Sequence, residues 1–286
     1  MKKVLITGSG GFIGGHLMKA LKAKDVEVVE FSLQKGQDVT DKKDFAALPQ
    51  VDSVFHLAAV SGYKASSENA FSAYEVNVGG TVNVLEYCKR VKAKIIFPST
   101  YVYDQPYTDY KKETDTTKPR THYSFTKFLG EELCRFYSRI FKVDSLILRT
   151  SNVYGAGQDE IYIVPVIAKH LLSGKSLSLT KPEIERSFIY IDDLVEAYIK
   201  LAETKTRPGE VFNVGPDKPT ILQELVSSIE KISGKKAKVS YSGKSRPHDA
   251  DKNRLDISKI KQKINWRPEI SLEEGLRRYF KTNQEK

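Results

Sequence analysis

Thr7-Gly8-Ser9-Gly10-Gly11-Phe12-Ile13-Gly14 follows an apolar run, Val4-Leu5-Ile6, and leads into apolar positions at helical spacing out to Leu21. The pattern reads as strand, glycine turn and helix. That is the setting a dinucleotide-binding fingerprint requires. The glycines stand as G-x-x-G-x-x-G (Gly8, Gly11, Gly14) rather than G-x-G-x-x-G. Their work is similar: one makes the tight turn, one lets backbone approach a pyrophosphate, one lets helix and strand pack closely. The helix N-terminus then offers unpaired N–H groups and partial positive charge to phosphate. Phe12 and Ile13 lie between the second and third glycines and belong to the same candidate cofactor contact.

Outward from this stretch, strand and helix alternate. Val26–Phe31 reads as the second strand. At its end an NAD site keeps an acidic residue for the adenosine ribose. Ser32 stands at that place, with Glu30 two residues earlier and Lys35 just beyond. Without the carboxylate, repulsion against a 2′-phosphate is lost, so NAD and NADP both remain open. Asp38 is a candidate for the adenine amino group with Val39 beside it, while Thr40 or Asp41 is placed to cap a helix running to Leu48. Val54-Phe55-His56-Leu57 is the third strand. It exits through Leu57, Ala58 and Ala59, whose small side chains leave room for a ligand at the carboxyl end of a parallel strand. His56 reads as a packed strand residue.

Ser66–Val91 reads as one long helix. Its interior holds Asn77-Val78-Gly79-Gly80-Thr81, a polar amide and two glycines that weaken a helix and imply a packing or functional reason. Asn77 is a candidate cofactor contact. Ile95-Ile96-Phe97 is the fourth strand, ending in Pro98-Ser99-Thr100-Tyr101-Val102-Tyr103. Tyr123 and Lys127 open a further helix one turn apart, so both can face one ligand. Val143–Arg149 is the fifth strand. After Ile161 the alternation loosens, with no repeats and no Gly/Ser-rich linker.

The 286 residues carry a formal charge of +10 and 40% hydrophobic residues. That is ample for a core. The basic residues are scattered, dense only near Lys235-Lys236-Lys238 and in the tail, and no nucleic-acid-binding motif is present, so the charge suits an anionic small substrate or solubility alone rather than nucleic acid. Cys88 and Cys134 read as buried free thiols, not as a disulfide or a metal site. No run is long enough to cross a bilayer, and the apolar start breaks at Gly8, too early for a signal peptide. A cytoplasmic protein without metal is the expectation.

These motifs, with Arg149-x-x-Asn-Val-Tyr-Gly155, Arg186-Ser-Phe-Ile-Tyr-Ile-Asp-Asp193, Phe212-Asn-Val-Gly215, Arg246-Pro247 and Trp266-Arg-Pro268, occur in one order along the chain. The ordered set resembles the extended short-chain dehydrogenase/reductase superfamily, in its NAD-dependent epimerase/dehydratase branch acting on nucleotide sugars. The resemblance implies an α/β fold: a Rossmann-type doubly wound parallel sheet and a smaller C-terminal α/β substrate lobe. Residues 1–165 would bind dinucleotide and 166–286 the nucleotide-diphosphate sugar, with segments near 186–214 returning to the first domain. It also implies a homodimer through the two long helices.

The implied catalytic set is Ser99, Tyr123 and Lys127. A tyrosine at its ordinary pKa of about 10 is a poor base, and a neighbouring ammonium favours the phenolate. Lys127 would supply that charge and hold the nicotinamide ribose, while Ser99 would bond the reacting oxygen. Thr100 is its alternate, because Pro98 shortens the usual run of small hydroxyl residues. The resemblance assigns Thr100, Asn152, Arg186 and Arg246 to substrate, the arginines forking onto the diphosphate. Sugar dehydratases and decarboxylases of the superfamily carry an acid just after the catalytic hydroxyl. Thr100 and Tyr101 stand there, which disfavours elimination. A 4-epimerase is the first expectation, a 4-ketoreductase the second, a dinucleotide-binding regulator without turnover the third.

Overall fold

The computed structural model describes residues 1–103, 110–244 and 251–284. Its elements run β1 (Lys3–Thr7), α1 (Phe12–Lys22), β2 (Glu27–Phe31), β3 (Ser53–His56), α2 (Tyr63–Glu68), α3 (Ala70–Tyr74), α4 (Gly80–Val91) and β4 (Lys94–Thr100). There follow α5 (His122–Phe141), β5 (Ser145–Thr150), β6 (Asn152–Tyr154), α6 (Ile163–Ser173), β7 (Leu177–Leu179), β8 (Glu185–Arg186), β9 (Phe188–Tyr190), α7 (Ile191–Glu203) and β10 (Glu210–Val214). The chain closes with β11 (Thr220–Ile221), α8 (Leu222–Ser233), β12 (Val239–Tyr241), α9 (Ser258–Ile264) and α10 (Leu272–Gln284).

Six parallel strands form the central sheet in the order β10-β5-β4-β3-β1-β2. Strand order reverses between β1 and β3, and the crevice beyond the carboxyl ends of those strands is where such sheets bind ligands. Both faces are covered, so the strands are near-continuous apolar runs. Val4, Ile6, Ile96, Leu146 and Leu148 pack on one face with α1 and α7. Leu5, Val54, Ile95, Phe97 and Ile147 pack on the other with α4 and α5. The alternation of faces is the period-2 geometry of a strand. Short two-stranded pairs, β7 with β12, β8 with β11 and β6 with β9, and the helices α6, α8, α9 and α10 make up the rest.

The expected long helix over 66–91 is divided. α2 and α3 are separate, Asn69 caps α3 through Ser72 N, and residues Glu75–Gly79 form a π-turn before α4. Single π-turns of this kind cluster at functional positions, and Asn77 sits at its middle. The expected helix after Asp41 is shorter than its pattern, a 3₁₀ turn over Lys42–Phe45 that Asp41 caps by accepting from Lys43 N at 2.9 Å.

Candidate functional site

At the switch point the glycine loop turns under β2: Gly8 N and Ser9 N both donate to Phe31 O, and Gly11 N donates to Gly8 O. Gly8 has φ +72°, and a Cβ there would lie 2.7 Å from Ala58 N. A Cβ on Gly14 would lie 2.3 Å from Gly8 O. The two positions therefore admit only glycine, and the cradle they leave suits a pyrophosphate. Ser9 Oγ is buried in this loop with no hydrogen-bond partner among the described residues, as a phosphate-facing hydroxyl would be before its ligand arrives. Phe12, Ile13, Leu57, Ala58 and Ala59, just after the loop and after β3, are all half-buried. The loop thus fits a dinucleotide.

At the adenosine end, Ser32 is buried and Gln34 lays its amide against Gly10. Glu30 is neutralised on both sides, by Lys22 Nζ at 3.1 Å and Lys35 Nζ at 3.4 Å. The hydrogen bond from Lys22 is the largest of the effects that hold its carboxyl below the usual range. Asp38 Oδ1 accepts from Thr40 N at 2.9 Å, and Val39 is buried at 5%.

Asn77 is buried beside the exit of β3. It is 2% exposed, and its amide is spent inside the protein. Oδ1 accepts from Val60 N (2.8 Å) while Nδ2 donates to Val60 O (3.0 Å) and to Thr126 Oγ1 (2.9 Å). Thr126 in turn donates to Tyr123 O at 2.9 Å. These bonds make Asn77 a brace between the exit of β3 and the first turn of α5. His56 continues it. Thr81 Oγ1 donates to Asn77 O (2.6 Å), so it must accept from His56 Nε2 (3.0 Å); Nδ1 then accepts from Thr7 Oγ1 (2.8 Å). The imidazole is neutral: burial, helped by the Lys127 charge, pushes it down to about 3.

Thr121 and Ser124 cap α5 reciprocally, which sets Tyr123 in the first turn of a well-anchored helix. Tyr123 is half-buried, and Lys127 lies one turn on with Nζ 4.3 Å from the Phe97 ring centre. Burial pulls the Lys127 ammonium down to about 8. Burial also raises the Tyr123 phenol above its ordinary value, with a smaller push from Tyr162. The expected lowering of the phenol by Lys127 is therefore not present in this ligand-free arrangement. Among the described residues the ammonium makes no hydrogen bond, which leaves it available to a ligand.

Ser99 sits in a network of its own. Its hydroxyl donates to Glu131 Oε1 at 2.7 Å and lies 2.9 Å from Tyr103 OH, on the face of β4 turned to α5. Glu131 is fully buried and accepts further from Tyr103 OH, from Arg149 Nε and Nη2, and from Arg135 Nη2 at 2.9–3.0 Å. Burial works against its charge, but Arg149 outweighs it and holds the carboxyl below the usual range. In this arrangement the Ser99 proton is committed to a carboxylate. Thr100 is on the opposite face of the strand, accepts from Val102 N at 3.1 Å, and keeps its own proton uncommitted among the described residues. Composition and periodicity did not single out Glu131, yet a signal was present: Tyr123, Lys127 and Glu131 continue one i, i+4 row.

Of the residues expected at the substrate, Asn152 Nδ2 donates to Tyr101 OH at 2.6 Å, and half-buried Arg186 donates from Nη1 to Glu185 O. Arg246 lies outside the described residues. Cys88 and Cys134 are buried free thiols, and no cluster among the described residues has the make-up of a metal site. No described helix is long and apolar enough to cross a membrane.

A family model described as NAD dependent epimerase/dehydratase family matches residues 4–215. The chain is 30% identical to a UDP-glucuronate 4-epimerase of Thermodesulfobacterium geofontis over 98% of this chain and 96% of the relative. It superposes on the UDP-glucose 4-epimerase of Thermotoga maritima bound to UDP-glucose with TM-score 0.93 at 27% identity, covering 99% of both chains. The UDP-glucuronic acid 4-epimerase of Bacillus cereus, bound to UDP-glucuronic acid and NAD, gives TM-score 0.91 at 31% identity over 99% of both.

Proposed function

The chain belongs to the NAD dependent epimerase/dehydratase family, an NAD-dependent enzyme of the extended short-chain dehydrogenase/reductase type, and from that premise we propose that it is a nucleotide-sugar 4-epimerase. The observation that carries the reading is Tyr123 held in the capped first turn of α5, with a ligand-ready Lys127 ammonium one turn away. In this reading both would serve the crevice that begins at the glycine loop. Gly8, Gly11, Gly14 and Ser9 would hold the pyrophosphate, Ser32 and Asp38 the adenosine, and Lys127 the nicotinamide ribose. When bound, the nicotinamide supplies a reversible hydride acceptor.

In this reading Tyr123 takes the proton from the sugar 4-hydroxyl and returns it after the 4-keto sugar has turned over. The Lys127 ammonium, joined by the positive charge of a bound oxidised nicotinamide beside the phenol, is what would make it acidic enough near neutral pH, because an isolated buried phenol is not. Thr100, rather than Ser99, would bond the reacting oxygen. Asn152 and Arg186, with Arg246, would face the sugar diphosphate. A homodimer is part of the proposal. Phe125, Phe136, Ile140 and Phe141 on α5 and Phe71 on α3 are exposed large apolar side chains, and such a patch suits an interface.

One observation favours a second reading, an NADP(H)-linked 4-ketoreductase: Ser32, just after β2, stands in place of a carboxylate, and Lys35 follows it, paired with Glu30 at 3.4 Å. Dialysis decides between them. An epimerase keeps its dinucleotide and interconverts UDP-glucose-type epimers without added cofactor. Loss of the dinucleotide, with NADPH consumed by a 4-keto sugar nucleotide, would replace the first reading by the second.

A further inference from the structure

Tyr162 is a phenol that the reaction scheme does not use, and it lies near enough to Tyr123 to act on it electrostatically. Its hydroxyl lies 3.0 Å from Ser61 Oγ, joining two loops 101 residues apart in the chain. One is the exit of β3, four residues past Leu57; the other leads into α6. Both supports are firm. Tyr162 is the N-cap of α6: its carbonyl accepts from Val166 N and its N donates to Asp159 O. Ser61 follows Val60, whose backbone N–H and C=O are both held by Asn77. The same Asn77 reaches Tyr123 through Thr126, so one brace spaces the Ser61 rim from the first turn of α5.

Ser61 is exposed and Tyr162 is half-buried. A hydrogen bond between hydroxyls that water can reach adds little net stability, so it opens readily. Ser61 offers a simple alcohol to the phenol, one donor and one acceptor on a tetrahedral carbon. A pyranose hydroxyl offers the same groups. We propose that Tyr162 is a substrate-contacting specificity residue: its phenol exchanges the Ser61 hydroxyl for a ring hydroxyl of the bound hexosyl group, over the carbon that Tyr123 works on. The inference rests on the nucleotide-sugar reading above and assigns Tyr162 to the sugar rather than to the nucleotide. The electrostatic push of Tyr162 on Tyr123 is in keeping with the proximity this requires.

The test is calorimetric titration of UDP, UDP-glucose and UDP-glucuronate into the full chain with NAD present, comparing wild type, Tyr162→Phe and Ser61→Ala. Tyr162→Phe keeps the ring and its packing. It is expected to leave the affinity for UDP unchanged and to weaken at least one of the two sugar nucleotides about tenfold, the usual cost of one lost hydrogen bond to substrate. Ser61→Ala removes only the stand-in alcohol, so sugar nucleotides are expected to bind as in wild type or more tightly. The proposal is overturned if Tyr162→Phe binds the sugar nucleotides as wild type does. It is equally overturned if both variants weaken them alike, which marks a rim strut, or if Tyr162→Phe loses UDP in the same proportion. A wild type that binds none of the three probes refutes the nucleotide-sugar reading itself, an outcome distinct from all of these.

Discussion

Asn77→Ala, Thr126→Val and the pair together test whether Asn77 is a brace or a ligand. Asn77→Ala removes three hydrogen bonds, each worth about 1 kcal/mol net in a folded protein. Val60 is half-buried, so water takes up part of what it loses, whereas Thr126 is fully buried and its oxygen is left short. The expected loss is about 2 kcal/mol. At average per-residue values the unfolding entropy of 286 residues is about 0.6 kcal/mol/K, so the midpoint falls by about 3 °C. Thr126→Val keeps the shape but loses the acceptor for Asn77 and the donor to Tyr123 O, at about 1 to 2 kcal/mol. Because the two share one bond, the double variant is expected to lose about 1 kcal/mol less than the sum. Urea denaturation gives the cycle, and fluorescence titration gives cofactor affinity in each variant. Strict additivity would refute the brace. So would unchanged stability in Asn77→Ala with tenfold weaker cofactor binding, since that is the behaviour of a direct ligand.

Thr100→Val is expected to lower kcat about a hundredfold while Ser99→Ala leaves kcat within about threefold, and steady-state kinetics of the two would show the reverse if Ser99 touches the reacting oxygen. Glu131→Gln leaves Arg149 buried with less than its counter-charge, and is expected to cost about 3 to 5 kcal/mol in urea unfolding; under 1 kcal/mol would mean water already reaches the pair. His56 is held neutral in the fold down to about pH 3, while unfolded it protonates near 6.5. The unfolded state therefore binds the extra proton between those values, and stability falls as pH drops from 6.5 towards 3. The slope due to His56 approaches about 1.4 kcal/mol per pH unit. Comparing unfolding at pH 7, 5.5 and 4.5 in wild type and His56→Gln isolates it, and equal slopes would show that His56 protonates while folded.

How much of this was legible beforehand follows from the range of the interactions. The glycine turn after Val4-Leu5-Ile6 specifies strand, loop and helix through contacts a few residues apart, and the apolar strand runs specify a sheet covered on both faces. The α/β doubly wound fold was readable for that reason. So was the i, i+4 approach of Tyr123 and Lys127, which any helix enforces. What the side chains at 77 and 99 do was not readable. A strand alternates faces whatever its neighbours, so only the packed α5 reveals that Ser99 meets Glu131 and that Thr100 looks the other way. The pattern over 66–91 is helical throughout, but Asn77 earns more from Val60 and Thr126, 17 and 49 residues away in the chain, than an unbroken helix offers. The same holds for Ser61 and Tyr162, brought together only when two loops meet. Local sequence determined the elements and their order; the tertiary structure decided which polar groups turn inward, because a buried hydrogen bond depends on partners that periodicity does not encode.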